Sequence, residues 1–315
     1  ETLVDRKDIY INDGDIRGTT PLWIACDKGH VDVVRLLLAR KEIQINQADG
    51  EGSTPLNITC ENGHVGVVRL LLARNNIQIN QPLNNGGTSL YLACQEGRVD
   101  IVRLLLDNKD IQINQPLNNG STPLNTACHF GHVDVVRLLL TRKEIQINQA
   151  REDGVTPLYT TCQFGHVDIV RLLLAREEIQ INEATEDGAA PLWITCQKGH
   201  VDIVRLLLAR KEIQINQAAK DGTTPLFMTC QGGHVDVVRL LLDRKEIKIN
   251  QARDSGATPL YMTCWNGHVD IVRLLLARPG IKINQANKKG QTPLDLARYK
   301  GYSQIANLLR QNGGR

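Results

Sequence analysis

Residues 153–174 read "DGVTPLYTTCQFGHVDIVRLLL", and the fold turns on whether this stretch is unique or one copy of many. Taken alone, Cys162, His166 and Asp168 suggest a nucleophile, a base and an orienting carboxylate. The rest of the chain answers otherwise. Prolines stand at 21, 55, 123, 157, 191, 225, 259 and 293, a grid of 34 in which Ser89 fills the one gap. A leucine follows at each of these nine positions, and a glycine comes eight residues after each, from Gly29 to Gly301. The cysteines keep the same step from Cys26 to Cys264, so the triad-like set is a repeat element. Eight equivalent nucleophiles in a row serve no catalytic purpose, and the chain is read as a non-enzyme that needs no cofactor.

Each unit reads as two helices and a finger. Thr156 is an N-cap and Pro157 the first helical residue, where a missing N–H costs nothing. Gly165 stops this helix after about two turns. The second helix begins near His166, with Asp168 in its first turn, where a negative charge suits the helix dipole. Val167, Val170, Leu173 and Leu174 recur at helical spacing. Asp168 and Arg171 are three apart and in reach of each other. Ile179 and Ile181 then alternate with polar residues in "EIQIN", which predicts a short extended segment. Asp187-Gly188 turns the chain back, as Asn85-Gly86 and Asn119-Gly120 do. One such unit cannot bury enough apolar surface to offset the entropy of ordering it, so neighbours must stack.

The 315 residues are 42% apolar, enough for a large core, and their 37 basic and 34 acidic side chains nearly cancel. That balance argues against a nucleic-acid or anionic-membrane partner. No apolar run approaches the roughly 18 residues of a membrane span, because arginines such as Arg171 cut the leucine stretches.

Nine copies of this pattern closely resemble the ankyrin repeat, from about Leu3 to Leu309. The resemblance implies an all-α solenoid of stacked helix-turn-helix units with β-hairpin-like fingers, and protein or peptide partners held on the concave face. Each unit carries one residue more than the family's usual period, as in "LLLAREEIQIN". The glycine that usually ends the second helix is missing except at Gly280. The histidine that commonly follows "TPL" is replaced, by Trp23, Asn57 or Tyr159 for example. The expected organisation is a single array over 1–315. It has a partial preceding repeat at 1–16, eight internal repeats at 17–288 and a C-terminal capping repeat at 289–315. "LVDRKDIYIN" (3–12) matches the tail of a unit without its first helix, which predicts that the natural protein extends further toward the N-terminus.

The cysteine slot is where the family usually places alanine, so its thiols are expected to be buried, free and unreactive. Eight free thiols point to an intracellular, most simply cytoplasmic, setting. His129 and His132 in "HFGH" offer two imidazoles with no third ligand at metal spacing, so no metal is expected. The arginines from Arg35 to Arg273 form a solvated, charge-balanced face. The finger asparagines, Asn46, Asn80, Asn114, Asn148, Asn182, Asn216, Asn250 and Asn284, resemble those hydroxylated in some ankyrin proteins. Bridging between neighbouring fingers is the other reading, and the one favoured.

Ten of the twelve aromatic residues fall in three of the 34 slots. Trp23, Tyr91, Tyr159, Trp193, Phe227 and Tyr261 lie two after the proline, Trp265 and Tyr299 six after, and Phe130 and Phe164 seven after. Aromatics are common interface hot spots. These rings, Tyr299 excepted, together with His129 are the expected partner-binding set, looking outward into the concave groove, with Phe130, Phe164, His129 and Tyr159 at its centre. The alternative for the residues two after the proline is that they cover the seam between repeats. The function expected is a monomeric protein-interaction scaffold. The rival reading is a spacer or targeting arm of a larger channel or effector, favoured by near-duplicate fingers such as "IQINQPLNNGG" (77–87) and "IQINQPLNNGS" (111–121).

Overall fold

The computed structural model describes residues 10–315, which form eighteen α-helices and, among the described residues, no strand. The chain divides into two compact units, Glu1–Glu152 and Asp153–Arg315. The part of the predicted partial repeat at 1–9 lies outside the described residues.

In the first unit the helix pairs are Pro21–Asp27 with Val31–Leu38 (α1, α2) and Pro55–Asn62 with Val65–Leu72 (α3, α4). Ser89–Gln95 with Val99–Leu106 (α5, α6) and Pro123–Phe130 with Val133–Leu139 (α7, α8) complete it. The second unit holds Pro157–Phe164 with Val167–Leu174 (α9, α10), Pro191–Lys198 with Val201–Leu208 (α11, α12) and Pro225–Gly232 with Val235–Leu242 (α13, α14). It ends with Pro259–Asn266 and Val269–Leu276 (α15, α16), then Pro293–Tyr299 and Ser303–Gln311 (α17, α18). Within each unit the first helices pack on first helices and the second on second, so each unit is a stack of helix pairs.

The local chemistry is repeated with the period. A threonine hydroxyl caps each first helix by accepting the N–H three residues on, except at α11, where Ala190 has no side chain to do so. Gly233 closes α13 at φ 75°, and a Cβ there would stand 2.7 Å from Cε1 of His268 in the next repeat. Glycine is thus required twice over, by the left-handed backbone and by the ring seated on it. The second helices supply the core: Ile101, Val102 and Leu105 in one unit, and Ile203, Val204 and Leu207 in the other, are fully buried.

Three expectations need correction. The "EIQIN" segments are not extended: their backbone turns, with Gln47 N–H donating to Gln44 O at 3.2 Å. Their alternation still holds, because the second isoleucine (Ile45, Ile113, Ile181) is buried. The fingers are hairpin-like only at the turn, closed by bonds such as Leu83 N–H to Gly87 O at 2.8 Å. Neighbouring tips share one backbone bond, Asn118 N–H to Asn85 O at 2.9 Å for instance, too few for a strand ladder. Asp168 and Arg171 do not pair, nor does any other aspartate and arginine at these two slots among the described residues. Both side chains are solvated, and an exposed pair gains too little to fix two flexible chains.

Candidate partner-binding surface

The slot two after the proline is the third helical residue, whose own N–H is taken by the threonine cap. A side chain there leans toward the helix N-terminus, that is, toward the fingers. In a stack, the finger it meets belongs to the next repeat. Trp23 Nε1–H donates to Ser53 O at 2.9 Å, and Trp193 Nε1–H to Thr223 Oγ1 at 3.1 Å. The Tyr261 hydroxyl donates to Gln291 Oε1 at 3.3 Å and accepts from Asn287 Nδ2 at 2.6 Å. Tyr91, Tyr159, Phe227 and Tyr261 are buried, Phe227 completely, while Trp23 and Trp193 are half-buried. The outward-looking expectation is therefore corrected for Tyr91, Tyr159, Phe227 and Tyr261, while Trp23 and Trp193 remain partly open to solvent. All six cover the seam between repeats because the next finger closes over them.

The slots six and seven after the proline behave differently. Phe130 is 51% exposed, Phe164 44% and Trp265 38%; His129 and Tyr299 are exposed as well. In the first unit Phe130 meets the His129 ring edge-on at 4.7 Å and lies over His132 at 6.1 Å. In the second, Phe164 stacks over His166 at 6.3 Å, and Lys300 Nζ sits 4.0 Å above the Trp265 ring. These contacts hold each ring in place while leaving it open to solvent.

Two depressions lie between finger and first helix in the second unit. One, of about 390 Å³, is lined by Tyr159, Trp193, Asp187, Lys220 and Asp221. Burial, then Asp153 and Asp187, pushes the Tyr159 phenol above its ordinary value. The other, of about 360 Å³, is lined by Tyr261, Met262, Trp265, Arg253 and Lys289. Burial raises the Tyr261 phenol, and the Asn287 hydrogen bond and then Arg253 oppose the rise.

The tempting chemistry has structural work to do. All eight cysteines are free and buried. Burial pushes the Cys162 thiol up to about 12, against which Thr195 of the next repeat acts. Cys26, Cys196 and Cys230 meet Thr59, Thr229 and Thr263 in the same way. Each of these threonines also donates back to the proline carbonyl that opens its helix, as Thr59 does to Pro55 O at 2.6 Å. The sequence shows this threonine four after the proline, the signal that was available for the pairing. His132 Nε2 lies 2.9 Å from Gln95 O, and His64 makes the same contact with Asp27 O. Among the described residues no group of three or more His, Cys, Asp or Glu is arranged to hold a metal.

The finger asparagines form a ladder. Asn216 Nδ2 donates to Glu246 O at 2.8 Å, and its Oδ1 accepts from Lys248 N–H at 2.8 Å. Asn46, Asn80, Asn114, Asn182, Asn250 and Asn284 repeat this two-sided bridge, and Asn148 is engaged as well. Asn12, also on the grid, adds a rung that the sequence reading passed over. The arginine just past the second helix was missed too. Arg142 Nη1 donates to Leu106 O at 2.8 Å and Arg244 Nη1 to Leu208 O at 2.8 Å, capping the helix end where the family's glycine is absent. Each also pairs with the glutamate two residues on.

No helix among the described residues is long and apolar enough to cross a membrane. A family model described as ankyrin repeats (3 copies) matches residues 1–82, 75–151, 144–219, 212–287 and 249–315. No curated protein matches the chain as a relative.

Proposed function

The chain belongs to the ankyrin-repeat family, whose repeats are protein–protein interaction modules, and from that premise we propose that it is a non-enzymatic, monomeric scaffold working inside the cell. Its partners would be proteins or peptides seated on the concave face, against the first helices and finger turns. The internal repeats at 17–288 would carry the contacts and the unit at 289–315 would close the array. Free, buried thiols throughout suit a reducing compartment.

The observation that carries this reading is the exposure of Phe130, Phe164 and Trp265 at slots filled elsewhere by solvent-facing residues such as Lys28 and Lys198. Aromatic side chains are the commonest hot spots at protein interfaces. The rings two after the proline contribute shape through the seams they fill. For the finger asparagines, bonds at both ends of each carboxamide support the bridging role over hydroxylation in the folded state.

The test is a capture experiment with the full chain and its F130A, F164A and W265A variants. Each substitution is expected to leave unfolding free energy within about 1 kcal/mol and to weaken capture. Stability lost with capture unchanged would place the rings in a structural role. Phage-displayed peptides supply a defined bait when no cellular partner is at hand.

A further inference from the structure

The two depressions of the second unit differ in charge, and the difference specifies a ligand. The one beside Tyr261 has two cationic lining groups, Arg253 and Lys289, and no carboxylate among its lining residues. The Arg253 guanidinium sits 5.6 Å from the Phe227 ring centre and donates to Ser255 Oγ at 2.9 Å, so a ring and a hydroxyl hold it in place. Lys289 is exposed, and its ammonium joins no ion pair among the described residues. Nearby acids are turned elsewhere. Asp254 Oδ1 lies over Gly222 of the preceding finger, and Asp295 accepts from the Thr292 N–H and hydroxyl at 2.8 Å. Lys300 adds a third cation above Trp265. The floor is apolar, from Met262, Trp265 and the Tyr261 ring.

The depression beside Tyr159 is lined by Asp187 and Asp221 against the single cation Lys220, with Trp193 as its apolar wall. Asp221 Oδ1 accepts from the Thr223 N–H and hydroxyl, yet its side chain still lines the depression. Glu186 is next to it on the same finger. Finger charge in this unit therefore runs from acidic at 186–187 to basic at 288–289.

Resting on the interaction reading above, we propose that this face binds an extended peptide of bipolar charge. An acidic residue next to an apolar one sits between Arg253 and Lys289, and a basic residue sits between Asp187 and Asp221. The two sites are two repeats apart. At a helix packing distance of about 10 Å per repeat, the gap is roughly 20 Å, or about six residues of extended chain. Opposite charges at the two ends also fix the direction in which the peptide lies. A peptide is favoured over a nucleic acid because phosphates would be repelled by Asp187, Asp221 and Glu186 along the same face.

The experiment is selection of a random twelve-residue phage library on the full chain, followed by affinity measurement of synthetic peptides from the enriched pool. Enriched sequences are expected to carry an acid and a base about six positions apart. K289E is expected to weaken their binding at least tenfold, with helical content and melting temperature unchanged, and a peptide with its acid replaced by lysine should regain affinity for K289E. D187K should act on the basic end in the same way. Enriched peptides without this pattern, or indifferent to both charge reversals, would overturn the proposal. If such peptides still depend on Phe164, the interaction reading stands while the bipolar one falls; failure to enrich any peptide counts against both. Tight binding of an oligothymidine probe that K289E abolishes would assign the site to nucleic acid instead.

Discussion

Glu61 lies six after its proline, and its environment is unfavourable to charge. Burial, with Glu96 and Asp27 adding repulsion, raises its carboxyl above the ordinary value. A carboxyl raised in the folded state favours folding most at low pH, and that contribution is lost as pH rises through its folded value. Glu61→Gln is therefore expected to raise the melting temperature at pH 7 and to have little effect near pH 3. A melt at both values checks the sign. The cysteines give a second residue-scale expectation. With thiols such as Cys162 and Cys230 buried and pushed up to about 12, a disulfide-exchange reagent at pH 8 should label none of the eight in the native protein and all eight in denaturant. Rapid labelling of the native chain would restore the nucleophile reading. The sequence made the thiols legible because one slot repeated eight times is visible without coordinates. The burial of Phe227 was not, because it depends on Ala257, thirty residues further on, in whose core cluster the ring sits.

Among the described residues, α11 is the one first helix that begins without a side-chain cap. Ala190 has the same extended backbone, φ −87° and ψ 165°, as the threonines that cap the others. Ala190→Thr needs no rearrangement and should stabilise the chain by about 1 kcal/mol, read by denaturant titration. No gain would show that the cap is satisfied by solvent. Ser89, the gap in the proline grid, has the opposite logic. Its hydroxyl accepts from Asn57 Nδ2 at 3.0 Å, and Asn57 is fully buried with its Oδ1 taking Thr54 N–H at 2.9 Å. Completing the grid with Ser89→Pro leaves that buried amide one partner short, and a loss of about 1–2 kcal/mol is expected despite the better helix start. Helix starts and stops were thus readable from threonine, proline and glycine alone. The bridging of neighbouring fingers by the asparagines was readable too, whereas the arginine caps were not, because their acceptors lie in the preceding repeat and the spacing within one unit does not reveal them.

Across the whole molecule, charge is spread so that both units respond to acid in the same direction. Glu42 and Glu144 in the first unit, and Glu178, Glu212 and Glu246 in the second, are held below the ordinary carboxylate value, first by a backbone hydrogen bond and then by the arginine two residues before. A carboxyl depressed in the folded state contributes stability that is present above its unfolded value and lost as pH falls through the folded one. Unfolding free energy should therefore fall progressively below about pH 4.5, with Glu61 opposing the trend by itself. Chemical denaturation from pH 7 to pH 3 measures the slope, and removing all five carboxylates by glutamine substitution should flatten it. Because the same arginines cap second helices, as Arg210 does at Leu174 O, an Arg210→Met change should lower stability at every pH and also lessen the dependence. A slope unaffected by either change would assign acid sensitivity to other groups, Asp15 and Asp295 first, whose carboxyls are likewise held low by their hydrogen bonds to Thr19 and Thr292.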